Sequence, residues 1–121
     1  NPLTSGALTW HPAASVFCGA GVSENGALFS YHANWGSAGN WRLEISTRYR
    51  RFLFQPLETL KVQKKGSVVI ENVECKTELD ESYKPGLYLQ VKSFTSGDIA
   101  NLCSIAEHAS LIDKYYEIAG Y

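Results

Sequence analysis

The chain has 121 residues, a mass of 13.4 kDa, 45% hydrophobic and 19% charged residues, and a formal net charge of −1. These figures fit one globular domain spanning 1–121 and exclude a disordered chain. The near-neutral charge speaks against a nucleic-acid binder, and no apolar run of about 18 residues is present to span a membrane.

The chain starts at Asn1 and contains no Met. That reads as a processed start or as a piece cut from a longer protein, and no basic-then-apolar leader is visible. Residues 1–73 read as strands and turns. The small apolar segment Ala14–Val22 runs into Glu24-Asn25-Gly26. Asn-Gly takes positive φ readily and predicts a type I′ hairpin turn. In the next run, Ala27–Trp35, Phe29, Tyr31 and Trp35 share one parity, while Leu28, Ser30, His32 and Asn34 share the other. That is the period of a strand with one polar face.

A Gly- and Ser-rich loop separates Trp35 from Trp41. Trp41, Leu43 and Ile45 then alternate with Arg42, Glu44 and Ser46. A turn near Thr47–Tyr49 leads to Phe52 and Phe54, and Pro56 marks a strand boundary. Leu60 and Val62 alternate with Lys61 and Gln63, Lys64-Lys65-Gly66 makes a turn, and Ser67–Val73 is a further β-branched run. About six strands joined by short turns predict a mainly antiparallel sheet.

Five acids and one Lys between Glu71 and Glu81 predict a solvated connection over residues 74–84. After it the pattern turns helical. Pro85 suits a first helical position. Leu87, Val91 and Phe94 form one stripe, which Ser96-Gly97-Asp98 ends. Ser104-Ile105-Ala106-Glu107 is a capping box. It starts a last helix in which Ile105, Ala109, Ile112, Tyr116 and Ala119 recur at helical spacing, with Gly120 at the stop. The expected class is α+β: an open, mainly antiparallel sheet of about six strands, followed by two or more helices covering one face.

Cys18, Cys75 and Cys103 show no CxxC spacing, and His11, His32 and His108 show no HxxxH or HExxH spacing. We therefore expect no metal site, and buried or half-buried thiols in a reducing cytoplasm. Gly19-Ala20-Gly21 lacks the third glycine of a dinucleotide fingerprint, Glu24 standing in its place. Residues 42–65 carry seven Lys or Arg against two acids. They read as the polar face of a sheet, or as a patch that meets an anionic group. Trp10, His11, Tyr31, His32, Trp35, Trp41 and Arg42 gather in the strand half. Trp and Tyr with polar neighbours suit sugar stacking, while the same Trp residues also suit core packing. No nucleophile–base–acid set is visible.

The string Gly26-Ala-Leu-Phe-Ser-Tyr-His-Ala-Asn-Trp35, then Trp41-Arg-Leu-Glu-Ile-Ser-Thr47 and Arg51-Phe-Leu-Phe-Gln-Pro-Leu57, resembles the C-terminal domain of the glucose–fructose oxidoreductase/inositol dehydrogenase (Gfo/Idh/MocA) family. Gly86-Leu-Tyr-Leu-Gln-Val-Lys-Ser-Phe94 is similar to that family's Gln-containing helix, and Ser104-Ile-Ala-Glu107 to its closing capped helix. The resemblance implies a substrate-binding and dimerisation domain of an NAD(P)-dependent oxidoreductase acting on a sugar or polyol-like substrate. An N-terminal Rossmann domain in the parent would carry NAD or NADP. The family's Gly-rich loop, Glu-Lys-Pro motif and Asp-x-x-x-His segment are absent here, so no catalytic or cofactor-binding residue is carried over. Only a substrate-facing role transfers, to His32, Asn34, Trp35 and Trp41. The expected partners are the Rossmann domain and a second copy joined through the sheet. The alternative is a stand-alone carbohydrate- or protein-binding module without catalysis.

Overall fold

The computed structural model describes residues 2–11 and 14–121. In chain order its elements are β1 (Leu3–Ser5), β2 (Val16–Val22), β3 (Leu28–Asn34), β4 (Leu43–Ser46), β5 (Arg50–Phe54), β6 (Leu60–Lys64), β7 (Ile70–Val73), α1 (Glu78–Ser82), α2 (Leu87–Ser96), α3 (Ile105–Ser110) and α4 (Ile112–Ala119). The protein is α+β with all pairings antiparallel. The strands divide between two sheets, β1-β2-β3 and β4-β5-β6-β7. The additional strand is β1, three residues too short to show a period. Two compact units result: Asn1–Ala38 with Cys103–Tyr121, and Gly39–Leu102.

In the first unit, β2 and β3 pair over their whole length, from Val16 opposite Asn34 to Val22 opposite Leu28. The hairpin falls where Asn-Gly predicts it, but its turn is not type I′. Gly26 has φ +82° and Asn25 does not share a positive φ. Ser23 N–H donates to Ala27 C=O and Gly26 N–H donates to Ser23 C=O. This is the three-residue loop with glycine in the left-handed position. Ser23 Oγ and Asn25 Oδ1 lie 2.6 Å apart and brace it.

Gly19 stands opposite Tyr31 and Gly21 opposite Phe29. A Cβ on Gly19 would come within 2.6 Å of Tyr31 Cζ, and one on Gly21 within 2.5 Å of Phe29 Cζ. Each ring therefore lies across the glycine facing it, restoring apolar cover where a side chain is missing. Helix α4 packs on β2. Tyr31 Oη donates to Ile118 C=O at 3.4 Å, and Gly120, at φ +74°, closes on Thr4. Ala14 and Phe17, at 1% and 5% exposure, are the buried hydrophobic residues among those described.

The predicted capping box is present. Ser104 Oγ accepts from Glu107 N–H at 3.1 Å, and Glu107 Oε2 accepts from Ser104 N–H at 2.7 Å. The expected single last helix is divided at Leu111, whose N–H bonds three residues back to His108 C=O. Ser110 Oγ takes the Glu107 carbonyl at 2.7 Å, a side-chain competitor of the kind that bends helices. Gly120 is the left-handed cap at its end, as expected.

In the second unit, Leu43 faces Phe54, Ile45 faces Phe52, Phe52 faces Val62 and Leu60 faces Val73. Paired residues point to the same side of a sheet, so these seven share one face, together with Arg50, Lys64 and Glu71. Neither α1 nor α2 packs along this sheet. Strand β5 ends at Phe54, before Pro56, as the proline predicts. Residues 74–84 are not all connection: α1 forms there, with Thr77 Oγ1 donating to Glu81 Oε1 at 2.6 Å. Pro85 lies in the turn before α2, and Gly86 and Gly97, both left-handed, bracket that helix.

The chain exposes 10305 Å². Even two separate compact bodies of half its mass would expose only about 7,800 Å². Much apolar surface is thus left bare within the units themselves. The thiols follow suit. Cys18 is half-buried on β2, but Cys75 and Cys103 are exposed, correcting the expectation that all three are shielded. Both lie on connecting segments.

Candidate functional site

The site in the first unit is built from its ends inward. Trp10 and His11 precede β2, Trp35 follows β3, and Tyr121 ends the chain. The Trp10 ring meets the Trp35 ring edge-on at 5.6 Å and the His11 ring edge-on at 5.7 Å. His11 in turn lies 5.4 Å from Phe17 and 5.2 Å from Tyr121. Trp35 is fixed by its backbone, whose N–H donates to Ser15 C=O. The His11 ring is held at both nitrogens. Nδ1 accepts from Ala14 N–H at 3.5 Å, and Nε2 lies 3.1 Å from Tyr121 Oη. The corner is thus anchored beneath by Phe17. Its outer rings are open to water, with Trp10 62% and Trp35 56% exposed.

The four substrate-facing residues of the sequence reading are distributed as follows. His32 and Asn34 lie on the same face of β3, opposite Cys18 and Val16, on the parity away from Tyr31. Both are exposed, and Asn34 Oδ1 accepts from Gly36 N–H at 3.0 Å. Trp35 joins the aromatic corner. Trp41 belongs to the second unit, where it is 71% exposed and its N–H is taken by Asn40 Oδ1 at 2.8 Å. Trp10 and His11 were visible as aromatic neighbours in sequence. Tyr121 carried no signal, since it meets His11 from 110 positions away.

Gly19 and Gly21 sit mid-strand under aromatic rings, and the chain turns back from Ser23 as a hairpin. Gly19 and Gly21 therefore do not open onto the helix N-terminus that a dinucleotide pyrophosphate site needs. Among the described residues no group of His, Cys, Asp or Glu is gathered that could hold a metal ion. No helix among them is long and apolar enough to cross a membrane. No protein-family model, curated protein or solved structure matches the chain.

Proposed function

We propose that this chain is the substrate-binding and self-associating domain of a cytoplasmic, Gfo/Idh/MocA-like oxidoreductase that acts on a sugar or polyol-like alcohol. The observation that carries the binding half is the exposed Trp10–Trp35 pair. Two indole rings set edge to face, held from below by His11 and Phe17, offer a fixed apolar wall to the C–H face of a polyol. His32 and Asn34, polar groups also suited to hydroxyls, lie on the other face of β3 and are not part of this wall.

The oxidoreductase half rests on the sequence strings that resemble the family. In that arrangement a Rossmann domain outside these residues supplies NAD or NADP and the catalytic groups. This chain contributes one wall of the substrate pocket and performs no proton or hydride transfer itself. The second reading, a stand-alone carbohydrate-binding module, is favoured by one observation: the aromatic corner is complete within its own unit.

The association half rests on the apolar face of the second sheet. Leu43, Ile45, Phe52, Phe54, Leu60, Val62 and Val73 share it, and none is buried. A second copy presents the same face, and two such faces pack at about 10 Å as in a sandwich. Titration with glucose and with myo-inositol, followed by tryptophan fluorescence, tests the binding half. A dissociation constant of about 1 mM, weakened about tenfold by Trp35→Ala or Trp10→Ala, is expected. No response, or a response indifferent to both substitutions, overturns it. Binding of NADH or NADPH to this chain alone would overturn the division of labour. A coding sequence with a Rossmann fingerprint ahead of Asn1 supports the enzyme, and a reading frame opening at Asn1 supports the stand-alone module.

A further inference from the structure

We propose that two hairpin ends of the second unit form a binding site for a small phosphate monoester. The inference stands apart from the polyol reading, because it concerns other residues in the other unit. The β4–β5 turn and the β6–β7 turn lie side by side, joined by Lys65 N–H donating to Tyr49 C=O at 2.9 Å. Between them is an open groove of about 370 Å³, and its lining includes Arg48, Arg50, Arg51, Lys64 and Lys65 but no acid. That volume is at the lower end of small-ligand sites.

The charge in the groove is only partly answered by the protein. Arg51 Nε lies 3.1 Å from Glu44 Oε1, and Lys64 Nζ lies 3.1 Å from Glu71 Oε2. Arg48, Arg50 and Lys65 make no ion pair among the described residues. Three positive charges are left over. Arg50 and Lys64 also stand directly opposite one another on β5 and β6. Like charges at that position cost stability, and Glu71 offsets the cost only on the Lys64 side. A dianion between the strands would relieve it. Arginine suits that ligand, since its planar fork offers two parallel N–H donors to phosphate oxygens. Arg48 is already steadied at the rim, 6.0 Å from the Tyr49 ring centre. The ligand is compact and not a polymer, because a chain with formal charge −1 exerts no long-range pull on a polyanion.

The test is titration of the whole chain with inorganic phosphate, glucose 6-phosphate and glucose, read by amide NMR shifts. Shifts at Thr47–Arg51 and Lys64–Ser67 with phosphate and glucose 6-phosphate, and none there with glucose, are expected. Binding tighter for the sugar phosphate marks a monoester site; equal binding of inorganic phosphate marks an adventitious ion only and overturns the proposal. The double variant Arg48→Gln/Arg50→Gln should weaken binding about tenfold or more, while Arg42→Gln, outside the groove and just before β4, should leave it unchanged. Arg50→Lys, which keeps the charge but loses the fork, should weaken binding less than Arg50→Gln, and equal loss would overturn the charge argument. If Arg42→Gln weakens binding equally, the effect is diffuse surface charge and the proposal fails. It also fails if a single-stranded oligonucleotide binds the groove more tightly than the monoester.

Discussion

In the first unit, β2 has α4 across one face, and Phe17 is removed from water there; in the second, Phe52 and Phe54 follow the same alternation on β5 and are only half-buried. The two sheets are equally regular ladders. They differ in what lies over them. Period-2 alternation specifies which residues share a face, but burial needs a second layer, and only the first unit carries one within itself. Where the layer is supplied internally, a small core forms beside an exposed aromatic rim. Where it is not, the apolar residues of the sheet stay half-buried or exposed.

The largest expected effect tests the covered sheet. Phe17→Ala should destabilise the first unit by about 3 kcal/mol, because it removes most of a small core. Hydrogen exchange should show β2 and β3 losing protection while β5 and β6 keep theirs. Phe54→Ala, on a half-buried ring, should cost less than about 1 kcal/mol in a dilute sample. Equal costs would erase the distinction between the two sheets.

The uncovered sheet is tested next. Phe52→Lys places a charge in the middle of the apolar face and should weaken self-association about tenfold or more, measured by sedimentation equilibrium. Glu44→Lys, on the opposite face, should not. If neither change alters the association constant, the face is not the interface. Gly19→Ala follows in size. Its new methyl displaces the Tyr31 ring and its bond to Ile118, for about 1 kcal/mol, read as a lower melting temperature. Gly39→Ala, where a Cβ meets nothing within 4 Å, should change little.

How much of this was legible depended on sequence distance. The Asn25-Gly26 hairpin, the Phe52/Phe54 parity, the Ser104/Glu107 box and the Gly120 stop are local, and each is where the sequence puts it. The turn type at Asn25 was not legible, because Asn-Gly serves several loops and it is the local bracing by Ser23, two residues away, that selects the three-residue one. The division into two sheets was hidden as well, since a Gly-rich loop between two Trp residues reads equally as a hairpin or as a break between sheets. Of the four site residues, His32 and Asn34 share one face of β3, and Trp35, just past its end, joins the aromatic corner instead. Trp41 carries the same chemistry at nearly the same position in sequence, yet it belongs to the other unit. The contact of Tyr121 with His11 is a property of the folded ends.

The smallest effect concerns α3, in the first unit. Glu107 accepts hydrogen bonds from the Ser104 backbone amide and, secondarily, from its hydroxyl, and both hold its carboxyl below its ordinary value. A carboxylate with a depressed folded pKa adds stability above its unfolded pKa, and that stability is lost as pH falls through the lower folded value. The loss should therefore begin in the ordinary carboxylate range, about 4.3, and be complete below the folded pKa. Glu107→Gln keeps a group able to accept from Ser104 but cannot titrate, so it should flatten this part of the acid limb. Ser104→Ala should cost about 1 kcal/mol of helix stability at neutral pH and flatten it too. Circular dichroism melts between neutral and acid pH distinguish the cases. A slope that survives both substitutions would place the acid sensitivity elsewhere.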